Sequence, residues 1–183
     1  MQREDDQALL ERFRQGDHGA FALLVARYQG PIYNAACRVL GNADDASDVT
    51  QAVFLRIAQK THEYDPQYKF FSWIYRMAVN EALNILRRNR RDEPLVDEED
   101  LPGPESANPE WQAQQLERSR QVQAALMGMK ADDRIVIALR HFSDCSYVEI
   151  GRILGLDEAT VKSRLYEARQ RLKGLLKDRL QVE

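Results

Sequence analysis

Residues 146–172 read SYVEIGRILGLDEATVKSRLYEARQRL. The spacing predicts a short helix from Tyr147 to Leu154, stopped at Gly155, then a turn, then a long helix capped by Asp157 and running to about Leu180. Ile150, Leu154 and Leu156 are expected to face inward. Gly151 falls where two helices cross and only a small residue fits. In the second helix Val161, Leu165, Ala168 and Leu172 recur every three or four residues and make one buried stripe. The opposite face carries Thr160, Lys162, Ser163, Tyr166, Glu167 and Gln170, flanked by Arg164, Arg169 and Arg171. Hydroxyl and cationic groups near a helix N-terminus suit phosphates and base edges. The pattern is that of a helix-turn-helix whose second helix enters a major groove.

Outward from this motif, helical spacing continues in both directions. Upstream of it, helices are expected from about Pro109 to Met127 and from Ala131 to His141. Near the N-terminus the expected helices run from Asp5 to Gln15, from Asp17 to Gly41 with a kink or break at Gly30-Pro31, from Asp44 to Thr61, and from Ser72 to Arg91. His62 to Phe70 reads as a loop. No alternating run of β-branched and aromatic residues survives inspection, and no Asn-Gly or Asp-Gly hairpin turn occurs. The predicted fold class is all-α.

The helix after that loop has its own chemistry. Its apolar stripe is Ile74, Ala78, Ala82 and Ile85. It ends in LRRNRR, with Arg87, Arg88, Arg90 and Arg91 together. Six aromatics stand close before and within its start: Tyr64, Tyr68, Phe70, Phe71, Trp73 and Tyr75. Bases stack on such rings at about 1–3 kcal/mol each, while cations hold the backbone, so the segment suits single-stranded nucleic acid. Asn80 and Asn84, one turn apart, carry amides able to read base edges. A bland reading competes, in which the rings are core and the arginines merely complement the helix C-terminus.

The chain has 183 residues, of which 44% are hydrophobic and 30% charged, with formal net charge −3. The charge is unevenly placed. Residues 1–92 hold thirteen Lys and Arg against twelve Asp and Glu, and residues 111–183 hold thirteen against ten. Residues 93–110, EPLVDEEDLPGPESANPE, hold seven carboxylates and no cation, and four of the six prolines. That stretch reads as a flexible acidic linker between two small helical bundles, 1–92 and 111–183. Halves of that size are marginal alone. No run approaches the ~18–20 apolar residues of a membrane span, and the charged N-terminus carries no secretory core. The two cysteines, Cys37 and Cys145, are far apart, which excludes a disulfide framework or a four-cysteine zinc site. A cytoplasmic protein without metal or cofactor is expected.

Taken in order, DVTQAVFLRI (48–57), FFSWIYRMAVNEALNILRR (70–88) and the 146–172 motif resemble the extracytoplasmic-function sigma factors of bacterial RNA polymerase, of the sigma-70 family. The resemblance covers nearly the whole chain. It implies that residues 1–92 are sigma region 2 and residues 111–183 sigma region 4. Asp48, Gln51, Phe54 and Leu55 would bind the clamp of the polymerase largest subunit. The loop from Tyr64 to Phe71, with Tyr68, Lys69 and Phe70, would with Trp73 hold a base flipped from the melted −10 element. Asn80 and Asn84 would touch neighbouring bases, and Arg76, Arg87 and Arg88 the strand backbone. Thr160, Lys162, Ser163, Arg164, Tyr166 and Arg169 would read the −35 duplex. Region 4 would also pack on the polymerase flap, and an anti-sigma factor would hold the protein inactive. The sequence departs from the family pattern at Ser47 and Ala52, where glutamates are common, and at Glu167, where arginine is frequent.

Other classes are weaker. A stand-alone helix-turn-helix regulator would bind duplex without polymerase. A general single-strand binder leaves 146–172 unexplained. A hydrolase finds no support, because no carboxylate–histidine constellation or Gly-rich phosphate loop is present.

Overall fold

Short polar side chains start the helices. Asp17 accepts a hydrogen bond from the Ala20 amide at 3.2 Å, Asn42 from Asp45 at 2.7 Å, and Ser146 from Glu149 at 3.2 Å. Each bond satisfies an amide that has no partner inside its helix. The computed structural model describes residues 5–89 and 109–180. Its elements are α1 (Asp6–Arg14), α2 (His18–Leu40), α3 (Ala43–Lys60), a 3₁₀ turn (Thr61–Glu63), α4 (Phe70–Asn89), α5 (Pro109–Met127), α6 (Ala131–Ile137), a π-turn (Ala138–Phe142), α7 (Tyr147–Leu154) and α8 (Glu158–Leu180). Among the described residues there is no strand, and the class is all-α as expected. No helix among them is long and apolar enough to cross a membrane. The acidic stretch lies outside the described residues except for its last two, 109–110, which begin α5. Arg90 and Arg91 also lie outside.

The first four helices form one bundle. Leu9, Leu24, Ile32, Val49, Ile57 and Ile74 are wholly buried at its centre, each contributing about 1.5–3 kcal/mol by leaving water. Arg27 and the Tyr28 hydroxyl both donate to Asp6, which ties α1 to α2. The expected break at Gly30-Pro31 does not occur, and α2 runs unbroken through Pro31. Proline removes one helical hydrogen bond there, at about 3 kcal/mol. Burial of Leu24 and Tyr28 before it and of Ile32, Ala35 and Ala36 after it offsets that loss.

The second bundle, α5 to α8, centres on Leu126, Ile135, Val136, Ile150, Val161, Leu165 and Ala168. The helix expected to reach His141 widens instead into the π-turn. The Ser143 amide there reaches back to Ala138 O at 3.2 Å, and Cys145 to Leu139 O at 3.0 Å. These wide loops swing the chain toward α7.

The two bundles do not stand apart. Their buried side chains form a single connected core. Ala35, Ala36 and Val39 of α2 and Tyr75, Ala78 and Val79 of α4 face Ile135, Ala138 and Leu139 across a seam with a void of only about 20 Å³. Arg38 lies over the Phe142 ring at 4.5 Å, and Gln123 donates to Cys37 O at 3.0 Å. Gly41 ends α2 with φ +89°, a left-handed turn that requires glycine, and lies against the flexible Met127 side chain of α5.

Candidate nucleic-acid interface

The segment between α3 and α4 is built around Tyr64. Its hydroxyl donates to Tyr68 O at 2.6 Å, and the Tyr68 amide bonds Asp65 O at 3.1 Å. From α1, Gln7 donates to Pro66 O at 2.9 Å. The Tyr64 and Phe70 rings meet edge to face at 5.6 Å, and Trp73 lies 5.4 Å from Tyr64 and 5.8 Å from Phe70. Such pairs add about 0.5–1.5 kcal/mol beyond burial. The loop is thereby held in one shape.

The predicted aromatics divide into two groups. Tyr64, Phe70 and Tyr75 are buried, so for them the core reading is right and their ring faces are occupied. Burial pushes the Tyr75 hydroxyl up to about 12. Phe71 is half-buried against Tyr75, 4.3 Å between centroids. Tyr68 is half exposed, and Trp73 is half-buried. Around Tyr68 and Trp73 opens a cavity of about 440 Å³, lined also by the carboxylates Glu63 and Asp65 and by Tyr64, Ser72 and Arg76. The Ser72 hydroxyl is buried and has no hydrogen-bond partner. The cavity has room for a planar heteroaromatic ring, with the open part of the Tyr68 ring as stacking surface.

From the cavity a polar stripe runs along α4. Arg76, Asn80, Asn84, Arg87 and Arg88 are all exposed; Arg76, Asn80, Asn84 and Arg87 recur every three or four residues along one side of the helix, with Arg88 at its edge. Among the described residues no carboxylate pairs with Arg76, Arg87 or Arg88. Lys69, at the loop's end, is exposed but paired with Glu149 at 2.6 Å.

In the second bundle the helix-turn-helix forms as read. Ser146 and Glu149 cap α7 reciprocally, a capping box, and Gly155 takes the left-handed conformation at φ +68°. Gly151 fits the expectation of close approach, with the tightest contact to the turn's backbone rather than to the facing helix. On α8, Val161, Leu165 and Ala168 are buried and Leu172 half-buried. Lys162, Ser163, Tyr166 and Arg169 are exposed, and Arg164 is half-buried. Thr160, Lys162 and Arg169 are partly engaged within the chain. The Thr160 hydroxyl donates to Asp157 at 2.6 Å. Lys162 pairs with Glu158 at 2.7 Å, which holds its ammonium above the ordinary value. Arg169 donates to His141 at 3.1 Å, and Glu167 pairs with Arg171 at 3.2 Å.

A third surface lies on α3. Asp48, Gln51 and Leu55 share one exposed face, with Leu55 62% exposed despite its size. Phe54 turns the other way and meets the Phe21 ring edge-on at 6.4 Å.

Sequence reading missed the contribution of the second bundle to the cavity. Arg152 of α7 lines it, 5.8 Å from the Tyr68 ring centre. No local signal marks a contact between segments some eighty residues apart.

Comparison with known proteins matches both halves. Residues 24–92 fit the family model of Sigma-70 region 2, and residues 119–172 that of Sigma-70, region 4. The chain is 31% identical over 180 residues to the ECF RNA polymerase sigma factor SigW of Bacillus subtilis, covering 92% of this chain and 95% of that one. It is 32% identical over 174 residues to the ECF RNA polymerase sigma-E factor of Escherichia coli, covering 90% and 91%. Among solved structures, CnrH in complex with the cytosolic domain of CnrY superposes with a TM-score of 0.73 at 26% identity, over 96% of this chain and 99% of that one. The sigma factor RpoE in complex with the anti-sigma factor NepR, from Bartonella quintana, gives 0.67 at 25% identity, over 91% and 98%.

Proposed function

The chain belongs to the extracytoplasmic-function branch of the sigma-70 family, and from that membership we propose how its residues divide the work. As a sigma factor it directs core RNA polymerase to particular promoters and takes part in starting transcription. Residues 1–92 act as region 2, residues 111–183 as region 4, and 93–110 as the acidic tether between them.

Region 2 reads the melted −10 strand. The cavity beside Tyr68 and Trp73 receives a flipped base, Asn80 and Asn84 contact its neighbours, and Arg76, Arg87 and Arg88 hold phosphates. Tyr64 lines the cavity, Phe70 backs Tyr64 and Trp73, and Phe71 packs against Tyr75; these three rings serve packing rather than stacking on DNA. Lys69 meets the backbone once it is released from Glu149. Unstacking a base costs a few kcal/mol, and pocket contacts return part of it. Region 4 reads the −35 duplex through Lys162, Ser163, Arg164, Tyr166 and Arg169, with Thr160 at the helix start. Asp48, Gln51 and Leu55, with Phe54 supporting them, meet the polymerase clamp.

The observation that carries this reading is the pairing of an aromatic cavity and Arg/Asn stripe in one bundle with a helix-turn-helix in the other. A net charge of −3 gives little sequence-independent affinity for duplex. Polymerase supplies that affinity, and tethering makes the second contact intramolecular. Bond formation belongs to the core enzyme, an anti-sigma factor restrains the protein, and its place is the cytoplasm. The relatives do not favour a stand-alone regulator. Run-off transcription by core polymerase plus this chain on a randomised promoter library tests the proposal. It should return two conserved blocks a fixed distance apart; transcripts independent of the chain would refute it.

A further inference from the structure

We propose that Glu167 of α8 reads a base of the −35 duplex, accepting a hydrogen bond from the exocyclic amine of a cytosine, and that Arg171, anchored on α6, holds it in place. The inference rests on the assignment of α8 to that duplex and deepens it, because it names the base that one position of the site carries.

Ser163, Tyr166, Glu167 and Gln170 are all exposed. They recur at i, i+3, i+4 and i+7, so they share the side of α8 turned away from the buried Val161, Leu165 and Ala168. Cations flank that side, Lys162 and Arg169 along one edge and Arg164 and Arg171 along the other. Phosphates border a major groove on both sides and base edges form its floor, so the flanking cations suit the borders and the strip between them meets the floor. A carboxylate in that strip is repelled by phosphate. Its favourable partners are the hydrogen-bond donors of the floor.

Glu167 is also held in direction. Its Oε2 accepts from Arg171 Nη2 at 3.2 Å. The other arm of the same guanidinium, Nη1, donates to Asp133 of α6, whose side chain is only 7% exposed. An isolated i,i+4 pair on a helix surface is loose and adds little. Here the pair is tied through Arg171 to a buried carboxylate on a second helix. Among the described residues Glu167 Oε1 has no hydrogen-bond partner. One oxygen is anchored and the other is open to the groove.

An ionised carboxylate can only accept. In the major groove guanine presents the acceptors O6 and N7, and thymine the acceptor O4, all of which repel it. The donors are cytosine N4 and adenine N6, and adenine sets the acceptor N7 beside its amine. Cytosine is therefore favoured, adenine comes second, and guanine and thymine are rejected.

Run-off transcription by the holoenzyme on templates with a randomised −35 block tests the proposal. At one step of the block the unaltered chain should favour cytosine over guanine and thymine by about tenfold. Glu167→Gln should move that step to adenine, whose N6 and N7 an amide pairs bidentately, and leave the other steps as they are. Glu167→Ala should level it. Arg171→Lys keeps a cation for Asp133 but has no second arm for Glu167, so cytosine should stay the preferred letter with its preference cut about threefold. Thermal unfolding of each free chain checks that the variants fold. Identical letters in parent, Gln and Ala variants would overturn the proposal, and so would a uniform rise on all templates with no change of letter, the mark of relieved charge repulsion alone. An undiminished cytosine preference in Arg171→Lys would overturn the anchoring. A holoenzyme with no preference anywhere in the −35 block would instead overturn the assignment of α8 itself.

Discussion

Gly151 faces the carbonyl oxygen of Leu156 so closely that a Cβ at Gly151 would lie 2.6 Å from it. The same carbonyl belongs to the turn between α7 and α8, and the Leu156 amide in turn donates to Gly151 O at 2.9 Å. The backbones of helix and turn are locked face to face, with no flexible side chain able to yield. Gly151→Ala therefore pushes α8 away from α7. We expect a loss of about 2–3 kcal/mol, as for other overpacked sites. Denaturant unfolding measures it, and transcription dependent on the −35 element should fall with it.

Asn80 and Asn84 are exposed on α4 and bear no core load. Replacing both with alanine should move the unfolding midpoint by less than about 0.5 kcal/mol equivalent. Open-complex formation on a cognate promoter should fall by about tenfold or more, the scale of lost base-edge contacts. Permanganate footprinting of the −10 region reads the change. Equal open-complex formation in variant and parent would remove these residues from the strand reader.

Leu55 is a large apolar side chain left 62% exposed beside Asp48 and Gln51. Leu55→Asp should leave thermal stability unaltered and weaken capture by core polymerase about tenfold or more, as expected for an apolar anchor of an interface. Affinity capture with purified core polymerase checks it. Loss of fold rather than of capture would show that Leu55 serves stability.

Glu149 has an ordinary value of 4.5 and is held at about 2 in the folded chain. A depressed carboxyl stabilises the fold above the unfolded value, and the contribution disappears as pH falls through the folded one. The unaltered chain should therefore exceed Glu149→Gln in stability above about pH 4.5, and the two should converge toward pH 2. Unfolding midpoints recorded from pH 7 down to the acid limit test this. A difference that persists unchanged to pH 2.5 would contradict it.

Local features were legible because local physics sets them. The α7–turn–α8 motif follows from Gly155, Asp157 and the stripe Val161, Leu165, Ala168, and α5 and α7 lie where periodicity placed them. Pro31 does not interrupt α2, because burial on both sides of one missing hydrogen bond outweighs the missing bond. The π-turn at Ala138–Phe142 was invisible, since the same residues read equally well as regular helix. Composition brought Tyr64, Phe70 and Tyr75 into the aromatic group but could not sort walls from open faces; only the ring packing does. Lys69 with Glu149, and Arg152 with Tyr68, depend on how two bundles meet, and no spacing in the chain encodes that.

The central claim is that two helical readers become a promoter gauge only on the polymerase. Titrating fluorescent promoter duplex with the purified chain, alone and with core polymerase, at two salt concentrations, tests it most directly. The chain alone should bind weakly and without regard to sequence, and binding should become tight and promoter-specific once core enzyme is present. Tight specific binding by the chain alone, unchanged by core polymerase, would contradict it.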